Sequence, residues 1–467
     1  MKKKIEKYLV LISDFFAINL AWLIFFIFRV ESGWFDLISK PDFLLPMTAL
    51  YIFWMLLFTF VGMYRTWFAA SRFDELSTLF KSSFVGIFIL FFLILYDDYI
   101  TGISTSLRFF IFYYWGILVL IVGIGRLIVR SIQRNLLING IGRRNAAIIG
   151  FNEKAFEVHN SINDHLALGL DIKAYISVKN ENIGKEYLGV KVIDSIENLE
   201  TLINQFSIRN IIIALDRNHE DVLLEVISKC EGRDIALKIV PDLYDILSGQ
   251  ARSSQIYGFP LMDIMPELMP EWEKKLKRMM DIVISILFLI FASPILLFTA
   301  IAIKLDSKGP VFYRQERMGQ NGKLFKIIKF RSMVIDAEKG TGPVWSTKND
   351  PRITKVGSYV RKFRIDEIPQ MINILKGEMS FVGPRPEREH FVNLLSKEIP
   401  LYRRRLKVRP GVTGWAQVKH KYDESVEDVK KKLQFDLFYI ENMSLRMDLK
   451  IIFRTVLVVV FGKGHFE

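Results

Sequence analysis

Along the first quarter of the chain the hydrophobic positions run together instead of alternating. Residues 8–28, 43–61, 79–96 and 109–129 each come near the ~20 apolar residues that cross a hydrocarbon core, so the pattern predicts four transmembrane helices. A cleavable leader is the alternative for the first run, but no short apolar core with small residues behind it is present, and three more runs follow. Asp14 and Asn19 interrupt that run and are expected to hydrogen-bond a neighbouring helix. From Asn145 the texture changes. Short β-rich runs at 146–150, 172–177, 190–193, 210–215 and 235–241 alternate with helical spacing at 196–206 and 222–230, as in a parallel sheet with crossover helices. A third texture begins after Lys274, Lys275, Lys277 and Arg278 with an apolar run over 281–305, interrupted by Ser293-Pro294 and followed by Lys304 and Lys308. Basic residues on both flanks disfavour a crossing, and a central proline breaks helices. Two half-helices that enter the cytoplasmic leaflet and return are therefore expected. The final stretch, 449–461, sets Lys450 and Arg454 among apolar residues, which suits either a helix lying in the interface or a buried packing helix.

These patterns give a fold class of membrane α plus α/β. They divide the chain into a four-helix transmembrane domain (1–135), a Rossmann-like domain (143–247), a linker (248–272) and an α-rich C-terminal domain (273–467) with its re-entrant helix at 281–305. The first predicted strand ends in Gly150-Phe151-Asn152-Glu153-Lys154-Ala155, where a dinucleotide fingerprint has G-x-G-x-x-G/A. Asn152 replaces the glycine that lets the backbone approach a pyrophosphate, so a degenerate packing or regulatory domain is expected.

Composition sharpens the division. The 467 residues carry a formal charge of +13, yet residues 1–273 hold 26 basic and 30 acidic side chains while residues 274–467 hold 37 and 20. The whole excess sits in the last domain. One cysteine, Cys230, excludes a disulfide framework or a multi-cysteine metal site. Lysines 2, 3, 4 and 7, then Arg65, Arg72 and Lys81, then Arg126, Arg130, Arg134, Arg143 and Arg144 flank the runs on one side, which the positive-inside rule makes cytoplasmic. No nucleic-acid motif accompanies the basic residues, so nucleic acid is not an expected partner.

The chemistry concentrates in the basic domain. Its strings are Gly309-Pro310-Val311-Phe312-Tyr313-Arg314-Gln315-Glu316-Arg317, Phe325-Lys326-Ile327-Ile328-Lys329-Phe330-Arg331, Arg361-Lys362-Phe363-Arg364-Ile365-Asp366-Glu367-Ile368-Pro369, Gly383-Pro384-Arg385-Pro386 and Arg409-Pro410-Gly411-Val412-Thr413-Gly414-Trp415. Guanidinium forks suit phosphate oxygens. An Asp-Glu pair offers one nucleophile or base and one ligand for a hard cation that itself bridges phosphates. Alone, the pair reads as solvated acids in a helix first turn, the Pro-Arg-Pro string as a turn, and Arg403-Arg404-Arg405 as a contact with anionic lipid. Together they favour phosphoryl transfer at a membrane face.

These strings resemble the bacterial sugar transferase family, the large polyprenyl-phosphate hexose-1-phosphate transferases of exopolysaccharide, capsule and O-antigen synthesis. The resemblance extends from Lys277, Arg278, Asp281, Ser293 and Pro294, through the Asp-Glu dyad and Pro-Arg-Pro, to Asp436, Tyr439, Ser444 and Asp448-Leu449-Lys450-Ile451. It implies a multi-pass inner-membrane enzyme with a cytoplasmic catalytic domain that moves a hexose 1-phosphate from a UDP-sugar to undecaprenyl phosphate and releases UMP. It further implies Asp366 as nucleophile, Glu367 as Mg²⁺ ligand, and Arg385 as phosphate ligand, with Lys329, Arg331 and Arg317 as weaker ones; Ser293 and Pro294 make the re-entrant break. Glucose and galactose are the sugars expected, and homo-oligomerisation stays open. A membrane-anchored nucleotide-sugar dehydratase or epimerase is the alternative enzyme, and a non-enzymic membrane scaffold the alternative outside enzymes.

Overall fold

The computed structural model of the chain describes residues 3–31, 42–64, 72–101, 109–215, 220–230, 233, 235–241, 261–264, 269–335, 350–419 and 426–461. The segments between the first and second and between the third and fourth helices (32–41 and 102–108), Lys2, Arg65 and most of the expected linker (248–260 and 265–268) lie outside the described residues. The chain divides into two compact units near residue 270.

The first unit begins with four helices, α1 (Lys3–Glu31), α2 (Leu44–Val61), α3 (Arg72–Thr101) and α4 (Ile111–Ile138), each long and apolar enough to cross a membrane. Trp54, Phe58, Leu79, Ile87, Tyr114 and Leu118 fill their shared core. That core also buries charge. Asp14 of α1 accepts from Arg126 of α4 at 2.5 and 3.2 Å, Arg126 reaches Glu75 of α3 at 3.1 Å, and Arg130 pairs with the other oxygen of Glu75. Two acids and two arginines cancel, which is how ionised side chains persist in such surroundings. Asp14 thus links helices as expected, whereas Asn19 donates to Phe15 O within its own helix. Because α4 runs on to Ile138, Arg126 and Arg130 are buried bundle residues rather than a cytoplasmic flank. Arg134, Arg143 and Arg144 remain to carry that part of the orientation argument.

After α4 come β1 (Arg144–Ile149), α5 (Glu153–Asp164), β2 (Leu170–Ser177), β3 (Glu186–Tyr187), β4 (Val190–Ser195), α6 (Leu199–Gln205), β5 (Asn210–Ile213), α7 (Glu220–Cys230), β6 (Ala236–Ile239) and β7 (Met262–Asp263). The sheet order is β3-β4-β2-β1-β5-β6-β7, with five parallel strands between antiparallel edges. This is the doubly wound arrangement in which ligands sit at the carboxyl ends of the strands. There Gly150, at φ +112°, leaves no room for a side chain, since a Cβ would lie 2.6 Å from Ala214 O. Asn152 caps α5 by accepting from Ala155 N at 2.9 Å and donates to Ala214 O at 3.0 Å. The helix N-terminus that would hold a pyrophosphate is thus engaged by the chain's own side chain. Within the expected linker, β7 pairs with β6, and Lys238 bonds Asp263 at 2.6 Å.

The second unit opens with α8 (Glu271–Asp306). α8 stays helical through Ser293-Pro294, with Pro294 inside it. Proline has no N–H for the carbonyl four residues back, and the Ser293 hydroxyl supplies the missing donor to Ile290 O at 2.7 Å. The hairpin β8 (Phe312–Met318) and β9 (Leu324–Phe330) follows, then α9 (Lys355–Lys362), α10 (Met371–Lys376), β10 (Ser380–Val382), α11 (Glu389–Glu398), β11 (Gly411–Thr413), α12 (Trp415–Lys419), α13 (Val426–Glu441) and α14 (Leu445–Phe461). Strands β10 and β11 are parallel neighbours, so close that a Cβ on Gly411 would come within 2.1 Å of Gly383 N.

Buried polar ties fasten α8 to these elements. Lys277 bonds Asp448 at 2.6 Å and Val382 O at 3.0 Å, and Tyr439 donates to the other oxygen of Asp448 at 2.7 Å. Arg278 donates to Ile374 O and Leu375 O at 2.6 and 2.9 Å, the last carbonyls of α10, and Asp281 accepts from Phe381 N at 2.9 Å. Ser444 begins α14 by accepting from Met447 N. Most of the motif residues outside the dyad and the Pro-Arg-Pro string are therefore scaffold.

Candidate active site

Thr354 caps α9 by accepting from Gly357 N at 3.0 Å, and the helix ends at Lys362. Arg364 then takes a left-handed conformation, φ +53°, and turns the chain into the 3₁₀ segment Ile365–Gln370 with Asp366 and Glu367 in its first turn. Ile365 packs toward Ile303, Phe330 and Val360, which seats this turn against β9 and α8.

The two carboxylates are treated unequally. Glu367 accepts from Lys329 of β9 at 2.9 Å and has Arg364 and Arg385 each 3.6 Å away. Burial opposes its charge, but these three cations hold the Glu367 carboxyl well below the usual carboxylate range. Asp366 receives no hydrogen bond among the described residues. Burial first, and then the charge of Glu367 next to it, push its pKa up to about 6, against the pull of Lys329, Arg361 and Arg385. One carboxylate is therefore locked as an anion, and the other is unengaged and more basic than an ordinary aspartate.

The Pro384-Arg385-Pro386 loop leaves β10 and is gripped through its backbone. Gly411 N donates to Pro384 O, Arg405 to Arg385 O, Arg317 to Pro386 O and Met318 N to Glu387 O, at 2.9–3.2 Å. Behind it, Arg405 bonds Asp436 at 2.8 Å and Tyr402 at 2.7 Å, and Glu387 faces Lys432, Arg317 and Arg405 at 3.2–3.9 Å. Burial pushes the Arg317 guanidinium down to about 10. The loop is held so firmly that Arg385 presents its side chain, 40% exposed, toward Glu367 with little freedom to lose.

Of the residues singled out from sequence, Asp366, Glu367, Lys329 and Arg385 come together. Arg317 and Arg331 do not join them through their donors. Arg331 is buried and gives its guanidinium to Lys308 O, Ser307 O and Ser307 Oγ, closing the C-terminal end of α8. Arg317 serves the loop from behind. Arg404 and Arg405, read above as a lipid-surface contact, are buried and paired with Glu441 and Asp436; Arg403 alone is exposed, on Asn393. Arg361 and Arg364 were not singled out, although they stand five and two residues before the dyad. The groups nearest Glu367 are the cations Lys329, Arg364 and Arg385, so a metal at this carboxylate would draw its other ligands from Asp366, substrate phosphates and water. Mg²⁺ takes one or two carboxylates and completes its octahedron from substrate phosphates and water. No group of three or more His, Cys, Asp or Glu that would make an all-protein cage occurs among the described residues.

Residues 272–462 match the family described as "Bacterial sugar transferase", and residues 59–241 match one described as "CoA-binding domain". A UDP-glucose:undecaprenyl-phosphate glucose-1-phosphate transferase of Klebsiella pneumoniae is 32% identical over 91% of this chain and 90% of its own length. An undecaprenyl-phosphate galactose phosphotransferase of Salmonella typhimurium is 30% identical over 72% of each chain. A UDP-N-acetylgalactosamine-undecaprenyl-phosphate N-acetylgalactosaminephosphotransferase of Aeromonas hydrophila is 38% identical, over 51% of this chain and 55% of that protein.

Proposed function

The chain belongs to the bacterial sugar transferase family, and from that premise we propose that Asp366 is the nucleophile of its reaction and Glu367 the fixed anion beside it. The enzyme is a phosphoglycosyltransferase of the inner membrane that transfers a hexose 1-phosphate from a UDP-sugar to undecaprenyl phosphate. The observation that carries the assignment is the asymmetry of the dyad: Lys329, Arg364 and Arg385 crowd Glu367 and leave Asp366 unengaged.

In the first step an Asp366 oxygen attacks the sugar-bearing phosphorus. The bond from that phosphorus to the bridging oxygen breaks, and UMP leaves with the electron pair. In the second step an oxygen of the lipid phosphate attacks the same phosphorus, the bond to Asp366 breaks, and the carboxylate is restored with a lipid-linked sugar diphosphate as product. Two bulky anions then need not occupy the site together. Arg385 and Lys329 bind the oxygens of the transferred phosphate, and Arg364 and Arg361 add positive charge where the leaving UMP develops its own. Were Mg²⁺ to take part, the Asp366–Glu367 carboxylates would hold it, and it would supply neutralisation of negative charge on the transferred phosphate.

We place the catalytic unit on the cytoplasmic side, with α8 bending at Pro294 to re-enter the inner leaflet, because lysines and arginines flank both of its ends. Glucose is the sugar we favour, since the glucose-1-phosphate transferase above is similar over nearly the full chain. The test is UMP release by the purified protein from a panel of UDP-sugars with undecaprenyl phosphate. UDP-glucose should give the highest kcat/KM, and preference for another UDP-sugar would overturn that choice.

A further inference from the structure

Trp415 opens α12 two residues beyond β11, and its indole gathers three cations. Arg454 Cζ, Lys419 Nζ and Lys450 Nζ lie 5.2, 5.3 and 5.6 Å from the ring centroid, while Phe438 stacks on the same ring at 6.3 Å. None of the three cations has a carboxylate partner among the described residues. An aromatic face attracts a cation but cancels none of its charge, so three like charges share one ring and an anion among them would relieve their repulsion. Lys450 and Arg454 stand one turn apart on α14. Beside them Leu449, Phe453, Val456 and Leu457 form an exposed apolar row at helical spacing, with Phe453 74% exposed.

We propose that Trp415, Lys419, Lys450 and Arg454 form a headgroup site for an anionic phospholipid, whose acyl chains lie along Leu449, Phe453, Val456 and Leu457. The pairing of charge and hydrocarbon selects the ligand: a soluble phosphate has no use for the apolar row, and the acceptor lipid must bring its phosphate to Asp366. Trp415 and Arg385 leave the parallel strands β11 and β10 from the same end. A lipid held at Trp415 therefore moors the sheet that presents Arg385. This inference rests on the membrane placement of the unit and not on the chemistry of the dyad.

The experiment puts the full-length protein into phosphatidylcholine nanodiscs containing a photoactivatable phosphatidylglycerol or, separately, a photoactivatable phosphatidylcholine, and maps the adducts by mass spectrometry. The glycerol probe should label peptides containing residues 415–419 and 446–457 at least about fivefold more than the choline probe, as expected where each basic residue adds about 1 kcal/mol near anionic lipid. In Lys419→Gln/Lys450→Gln/Arg454→Gln that excess should vanish, while labelling along α8 stays at the wild-type level and shows the variant folded and inserted. Equal labelling by both probes, or undiminished labelling of the variant, overturns the proposal. So does displacement of the probe by millimolar inorganic phosphate, which would make the site one for soluble anions, or by undecaprenyl phosphate at one lipid per hundred, which would give it to the acceptor.

Discussion

At the scale of single residues, the decisive feature is that two adjacent acids have opposite tasks because of what surrounds them. Asp366 must be ionised to attack, and its pKa of about 6 sets the acid limb of kcat/KM near pH 6, about two units above an ordinary aspartate. A limb near pH 4 would contradict the burial argument. The stability consequence has the opposite sign from a salt-bridged acid. A carboxyl whose folded pKa is raised binds its proton more tightly in the folded state, so stability falls as pH rises from about 4 to about 6 and stays lower above that. Asp366→Asn should therefore abolish turnover and yet raise stability at pH 7, by at most about 3 kcal/mol, read as a higher thermal midpoint; a lower midpoint would argue that the carboxylate is structural. Arg385→Gln should leave the midpoint within the range of a surface change and lower kcat by about 10²-fold. The dyad was legible in the sequence because two neighbouring acids among arginines are chemically conspicuous. Arg331 and Arg317 misled because residue type gives charge but not direction, and their donors go to backbone carbonyls. Arg364 escaped because its role follows from a left-handed backbone that no spacing rule announces.

At the scale of elements, the apolar runs announced the helices, but not how α8 survives its proline or how the loop bearing Arg385 is held. The Ser293 hydroxyl on Ile290 O keeps α8 continuous, a local repair invisible to helix-breaking rules. The loop depends on the buried pair Arg405–Asp436, of which Arg405 was read from sequence only as a lipid-surface contact and Asp436 only as a motif match. Removing one member of a buried pair strands the other and costs about 3–5 kcal/mol. Asp436→Asn should accordingly lower the thermal midpoint by many degrees and lower activity with it, the reverse of the Arg385→Gln pattern. A variant at Asp436 with normal stability and selectively lost turnover would show that Asp436 acts on substrate instead. The expected linker shows the same limit: two residues at 262–263 suffice for an edge strand, too short for any pattern to reveal.

At the scale of the whole molecule, the net charge of +13 resolves into a basic catalytic unit and a slightly acidic remainder, and the chemistry follows that division. The sheet order of the first unit could not be read from the sequence, because which strands pair depends on crossovers rather than on composition. The single native cysteine, Cys230, is buried, which leaves a clean background for engineered ones. Cysteine at position 308 should be labelled from the cytoplasmic side only, and labelling from outside would make α8 a crossing helix. The account as a whole turns on a covalent intermediate. Full-length protein given UDP-sugar radiolabelled in the hexose, without acceptor, should carry label on the peptide containing Asp366. Undecaprenyl phosphate should chase that label into lipid, and Asp366→Asn should acquire none. Undiminished label in Asp366→Asn, or label mapped to any other residue, would contradict it.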